Sequence, residues 1–199
     1  MIHNSTQKGF TIIELLLVMA IFTIMSGIVL TNYRDYNTNA LFANASEDIV
    51  LALRMAQVYG VGSKGNITKC GDSSFTCRYG VTFIKSDTEG DGFRVFVDVD
   101  DNKIFQENNL TGIEDDDDIL IEIIKWKNNI KISELTCNAN GTDFPCDAGL
   151  TITFERPNPD AQIADTVENS DYDSARITIS SGTKNSIITI TKPGQISLK

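Results

Sequence analysis

Three patterns of apolar and polar positions succeed one another along the chain. From Phe10 to Leu30 almost every residue is apolar, a run close to the 20 or so residues a helix needs to cross a bilayer. One carboxylate, Glu14, sits near its start. An ionisable group within such a segment costs roughly 2.5–3.5 kcal/mol or more, so Glu14 requires a partner. Beyond Leu30 the pattern turns amphipathic: Phe42, Ala45, Ile49, Ala52, Leu53, Ala56 and Tyr59 recur every three or four positions, one face of a helix. Arg34, Asp35, Glu47, Asp48 and Arg54 decorate the rest. No proline separates the two stretches, so one helix from Phe10 to Tyr59 is expected, roughly 75 Å long at 1.5 Å per residue. Gly60, Gly62 and Gly65 then end it. Its first half would lie in the membrane and its second would dock on a globular domain. Gly27, after Ser26, is either a weak point costing about 1 kcal/mol relative to alanine or a place of close helix packing.

From Cys70 onward the period falls to two. Residues 79–85, 93–99, 119–125, 130–135, 150–155, 176–180, 186–191 and 195–198 read as strands. Ser181-Gly182-Thr183-Lys184-Asn185 and Lys192-Pro193-Gly194 read as turns, making the last three strands a meander. The polar, proline-bearing stretch 157–174 reads as a long surface loop. The expected architecture is α+β, a long helix on an antiparallel sheet. It divides into a leader (1–9), a transmembrane helical segment (10–30), its amphipathic continuation (31–60) and a β-rich globular domain (61–199).

Charge and cysteine content narrow the setting. The net charge is −10, and loss of residues 1–9 would remove Lys8 and no acid, giving −11. A chain this acidic is poorly suited to sheathing nucleic acid. Four cysteines fall in two close pairs, Cys70 with Cys77 and Cys137 with Cys146. Three connectivities are possible. The local pairs are favoured, because a short loop in a bent segment closes easily and an exported domain meets oxidising conditions. The spacings are longer than those usual for zinc ligands, and four reduced thiols remain the alternative in a reducing compartment.

Candidate chemistry is sparse. Asp98-Val99-Asp100-Asp101-Asn102 has the alternating oxygens of a calcium loop, but Lys103 stands where glycine is wanted and Asn109 where a bidentate glutamate would be. It reads as a solvated acidic turn, without a metal. Glu114-Asp115-Asp116-Asp117-Asp118 is a like-charge run that stays exposed. The only histidine, His3, lies in the leader, so no Ser-His or Cys-His pair survives its removal. No phosphate-binding glycine loop occurs, and neither a cofactor nor an enzymatic activity is expected.

Lys8-Gly9 followed by Phe10-Thr11-Ile12-Ile13-Glu14 resembles the processing motif of type IV prepilins and type II secretion pseudopilins. The resemblance implies cleavage after Gly9 by a prepilin peptidase and methylation of the new amine on Phe10. It also implies that Glu14 meets the terminal amine of a neighbouring subunit during assembly. A buried carboxylate is far less costly when paired, so filament formation would be the step that satisfies it. The midway proline common in that family is absent, Ser26-Gly27 standing in its place. Arg54-Met55-Ala56-Gln57, Cys70 with Cys77, and Gly92-Phe93-Arg94-Val95-Phe96-Val97-Asp98 are similar to FimT/GspH-type minor pilins. That resemblance implies a minor pilin or pseudopilin anchored in the cytoplasmic membrane, its globular domain outside the cytoplasm, with other pilin or pseudopilin subunits as partners. Some FimT-like proteins bind DNA through C-terminal arginines; here only Lys192 and Lys199 stand in that region, fewer cations than phosphate contact needs. The alternatives are a DNA-uptake binding protein and a membrane-anchored binding domain that never polymerises.

Overall fold

The computed structural model describes residues 9–62, 77–85, 91–99, 101–105, 118–126, 129–146, 148–165 and 171–199. It divides into two compact units, Met1–Leu41 and Phe42–Lys199. A single helix, α1 (Ile12–Gly62), contributes to both.

In the first unit the described chain is helix from Ile12 onward. Thr11 caps it: its Oγ1 accepts the backbone N–H of Glu14 at 3.3 Å, and its carbonyl accepts that of Leu15 at 3.2 Å. A threonine so placed satisfies donors that a helix start otherwise leaves open. The acidic Glu14 in the first turn also suits the positive end of the helix dipole.

In the second unit α1 buries one stripe. Phe42, Ala45, Ile49, Ala52, Leu53 and Ala56 are buried, whereas Leu51 and Val58 are exposed. Among the described residues ten strands follow: β1 (Arg78–Ile84), β2 (Gly92–Asp98), β3 (Ile119–Lys125), β4 (Lys131–Ala139), β5 (Thr142–Pro145), β6 (Leu150–Phe154), β7 (Ala161–Asp165), β8 (Ser174–Ser181), β9 (Lys184–Thr191) and β10 (Ile196–Leu198). They form two five-stranded sheets ordered β3-β2-β1-β6-β7 and β10-β9-β8-β4-β5, with every pairing antiparallel. The fold is α+β, with two sheets where the periodicity suggested one.

Register aligns Tyr79, Val81 and Phe83 with Val97, Val95 and Phe93 on one side, and with Phe154, Ile152 and Leu150 on the other. Residues directly opposite share a sheet face, so these aliphatic and aromatic groups make one apolar surface. Helix α1 lies on it: Tyr59 meets the Tyr79 ring at 5.6 Å, and Gly60 abuts the Phe154 backbone. A Cβ at Gly60 would fall 2.4 Å from the Phe154 carbonyl oxygen. Gly60 therefore sits inside the helix and permits close packing, rather than ending it. Gly65 lies outside the described residues.

Two strands were not anticipated. β5 closes on β4 through Asn140-Gly141, with φ of 52° and 79°. Both positive values match the tight hairpin turn that Asn-Gly favours. β7 lies within the stretch expected as a surface loop. It pairs with β6 along its whole length, and its Ala161 N–H bonds the Lys192 carbonyl at 2.7 Å, so pairing on both sides outweighs a weakly apolar sequence.

Candidate processing and assembly site

Gly9 and Phe10 precede the helix and are exposed, Phe10 by 85%. Among the described residues nothing lies within 4 Å of where a Gly9 side chain would be. Thr11 follows as the cap and Glu14 stands on the first turn. Among the described residues the Glu14 carboxylate has no hydrogen-bond or ion-pair partner. The segment Ile12–Leu30 is long and apolar enough to cross a membrane, and none of it is buried. Its side chains from Leu15 to Leu30 present apolar surface in every direction, with Leu15 56% and Phe22 69% exposed. Tyr33 and Tyr36 come next and are exposed, the amphipathic ring type that favours a membrane–water boundary. The role of Thr11 was missed in the sequence, although threonine three residues before glutamate at the head of an apolar run is a capping signature.

The cysteines lie in the second unit. Cys137 and Cys146 are joined, with Cα atoms 5.9 Å apart, both almost wholly buried. Cys77 is also disulfide-bonded, while Cys70 lies outside the described residues.

The acidic turn after β2 differs from the solvated turn expected. Asp98 is 2% exposed and accepts the Lys103 N–H at 3.0 Å. Arg78 occupies the middle of the carboxylates. Its Nε donates to Glu155 at 2.8 Å, Nη1 donates to the Asp101 carbonyl at 3.1 Å and pairs with the Asp101 carboxylate, and Asp98 lies 3.9 Å away. An internal guanidinium thus fills the place a cation would take. Among the described residues no group of three potential ligands could hold a metal ion. Asp100, Asn109 and residues 114–117 fall outside the described residues.

The two lysines considered for DNA do not form a patch. Lys192 is bonded to Asp171 at 2.6 Å, and that carboxylate, aided by Asp173 and Asp160, pushes the Lys192 pKa up. Lys192 opens on a cleft of about 450 Å³ whose lining mixes Glu155, Asp160 and Asp171 with Lys103 and Arg156. Lys199 is placed elsewhere, exchanging backbone hydrogen bonds with Ile187 at 2.9 and 3.0 Å.

Residues 4–30 match the family described as the prokaryotic N-terminal methylation motif. The chain is 47% identical over 49 residues to the type IV major pilin protein PilE1 of Neisseria gonorrhoeae, covering 25% of this chain and 28% of that protein. It is equally similar, 47% over 49 residues, to a fimbrial protein of Neisseria meningitidis serogroup B, covering 25% of this chain and 27% of the relative. The match thus spans about a quarter of the length of these curated relatives. No solved structure matches the chain. The methylation motif heads an exposed apolar helix capped at Thr11, and in this N-terminal segment the chain is similar to type IV pilins.

Proposed function

We propose that this protein is a structural subunit, a minor pilin or pseudopilin, built into a type IV pilus-like filament. A membrane peptidase removes residues 1–9, the Phe10 amine is methylated, and the apolar half of α1 passes from the membrane into the filament core. The observation that carries this reading is Glu14, a carboxylate without a partner among the described residues, at the head of the apolar segment Ile12–Leu30, none of which is buried. A lone buried carboxylate is costly and a paired one much less so, so docking against a neighbour's terminal amine would satisfy Glu14. The oxidised cysteines of the second unit fit a compartment outside the cytoplasm. The work of such a subunit is mechanical and recognitional, not catalytic.

The similarity of β2 to FimT/GspH-type minor pilins favours a surface pilus over a secretion pseudopilus. DNA uptake has less support, because Lys192 is held by Asp171. Intact mass and N-terminal sequencing of the protein from membrane and sheared surface fractions test the proposal. A chain starting at methylated Phe10, present in the sheared fraction, is expected. Glu14→Gln is expected to leave processing unchanged and to deplete the protein from that fraction. A chain still starting at Met1, or full assembly of Glu14→Gln, would sink the reading.

A further inference from the structure

The two sheets of the second unit end in edges of different kinds. In the second sheet the outer strands β5 and β10 have only four and three residues. At one end of the first sheet β7 is flanked: its Ala161 N–H bonds the Lys192 carbonyl, and its Ile163 carbonyl accepts the Tyr172 N–H at 3.1 Å. β3 closes the other end. It runs seven residues, Ile-Leu-Ile-Glu-Ile-Ile-Lys, and among the described residues no strand lies on its outer side. Long apolar edges are usually shortened, charged or covered, because their open N–H and C=O groups accept another strand.

Burial marks β3 out as well. Its neighbour β2 is largely buried, whereas every residue of β3 keeps some exposure. Leu120, Ile121 and Ile123 are 40%, 43% and 43% exposed. Register places Ile124 opposite Phe93 and Glu122 opposite Val95, so both stand on the face that carries α1. Between them and Leu51, Ala52 and Met55 of α1 runs a groove of about 300 Å³. Leu51 is exposed beside it. An added strand would pair with the outer edge and lay alternate side chains over this groove. The bulge at Ile121, which stands opposite no residue of β2, interrupts the ladder toward one end of the strand only.

We propose that β3 pairs antiparallel with β3 of a second copy, joining the first sheets of the two copies edge to edge. Charge selects that occupant. Five acids, Glu114 to Asp118, lead into the strand, and Lys125, Lys127 and Lys131 follow its apolar run. Antiparallel pairing brings the acidic lead of each copy to the lysine end of the other, at both ends of the pair. Parallel pairing would set acid beside acid, which is destabilising. Centred on Ile123, the pair sets Glu122 opposite the second copy's Ile124, on the groove side, and keeps the two Glu122 carboxylates from meeting. Only charge is asked of the lysines, so the bonds they make within the chain can stay. Such an interface is isologous and closed: each β3 takes one partner and no edge remains for a third. It is therefore independent of the filament reading, in which subunits repeat head to tail.

Hydrogen exchange of the full chain in detergent micelles, read by mass spectrometry, tests the pairing. At a high ratio of protein to micelles the amides of residues 119–125 are expected to exchange about tenfold more slowly than at a low ratio. Ile123→Lys puts a charge on the edge and is expected to hold them at the fast rate. Ile187→Lys, at a 38% exposed site on β9, is expected to preserve the slowing. Lys127→Glu should weaken the pair about fivefold, and a tighter pair would overturn the antiparallel arrangement. Association that leaves residues 119–125 unchanged overturns the proposal, because it assigns the contact to another surface. So does exchange that is slow at both ratios, which would give the edge to another part of the same chain, and so does slowing that survives Ile123→Lys. Should Ile123→Lys fold poorly, the ratio dependence of the unaltered chain decides the matter.

Discussion

Helix α1 presents two halves of different pattern and opposite fate. Up to Leu30 aliphatic side chains point everywhere and nothing covers them: Leu17 is 61% exposed and Val18 57%. From Phe42 the apolar residues keep to one stripe, and Ile49, Leu53 and Ala56 are fully buried. The difference lies in composition and spacing together: Glu14 is the only charge between Ile12 and Leu30, whereas Arg34, Asp35, Glu47, Asp48 and Arg54 confine the apolar residues of the second half to one face. A helix that is apolar all round has no preferred face and suits lipid or a ring of neighbours, while a striped one fits a single surface. One half is thus completed by its surroundings and the other by its own chain.

The contrast is sharpest where one substitution is made in each half. Leu53→Ala is expected to cost the second unit about 2–5 kcal/mol through lost burial and a cavity, read from denaturant unfolding followed at Trp126. Leu17→Ala should leave that transition where it was; a shift of similar size would erase the distinction. Next in size is the charge cluster on the sheet side. Arg78→Gln leaves Asp98 buried beside Glu155, and a loss of about 2–4 kcal/mol is expected, smaller if the exposed Asp101 and Glu155 relax into solvent. Two glycines of the same helix come third. Gly60→Ala meets the Phe154 carbonyl and should destabilise by about 1–3 kcal/mol, whereas Gly27→Ala meets nothing within 4 Å and should firm the helix by up to about 1 kcal/mol. Circular dichroism in detergent separates the two, and loss of assembly by Gly27→Ala would reveal a close contact made only in the filament. The smallest effect is in pH. Asn138, then Arg176, holds the Asp143 carboxyl below its usual range. That contribution is present above the unfolded carboxylate value and fades as pH falls through the folded one. Asp143→Asn should flatten the acid limb of the stability curve slightly, and a steeper limb would contradict the assignment.

Much of this fold was legible because periodicity carried it. The stripe Phe42–Ala45–Ile49–Leu53–Ala56 stands out at helical spacing and is the stripe that is buried. The strands with strong alternation, such as Phe93-Arg94-Val95-Phe96-Val97, were likewise plain. What escaped depended on partners distant in sequence. β7 is Ala-Gln-Ile-Ala-Asp, too weakly apolar to announce itself, and exists because β6 and the Lys192 carbonyl flank it. Arg78 gave no local sign that it would sit among Asp98, Asp101 and Glu155. The Asn140-Gly141 turn and the Thr11 cap did carry local signals, overshadowed by the motifs beside them. At the N-terminus the motif from Lys8 to Glu14 was readable outright, since its chemistry depends on residue order at the head of an apolar run.

The close seating of Gly60 on Phe154 has a mechanical side. The buried stripe begins at Phe42 and this contact lies at its other end, so if the proposed filament assembly holds, a pull applied to α1 at Phe42 would load the stripe lengthwise. Contacts arranged in this way resist as a shear joint, sharing load from Phe42 to Gly60, whereas a zipper would yield one contact at a time. Resistance to such a pull is set by the rate of unfolding more than by equilibrium stability. Filling the notch at Gly60 would thus shorten the lifetime of a loaded subunit by prying up the far end of the joint.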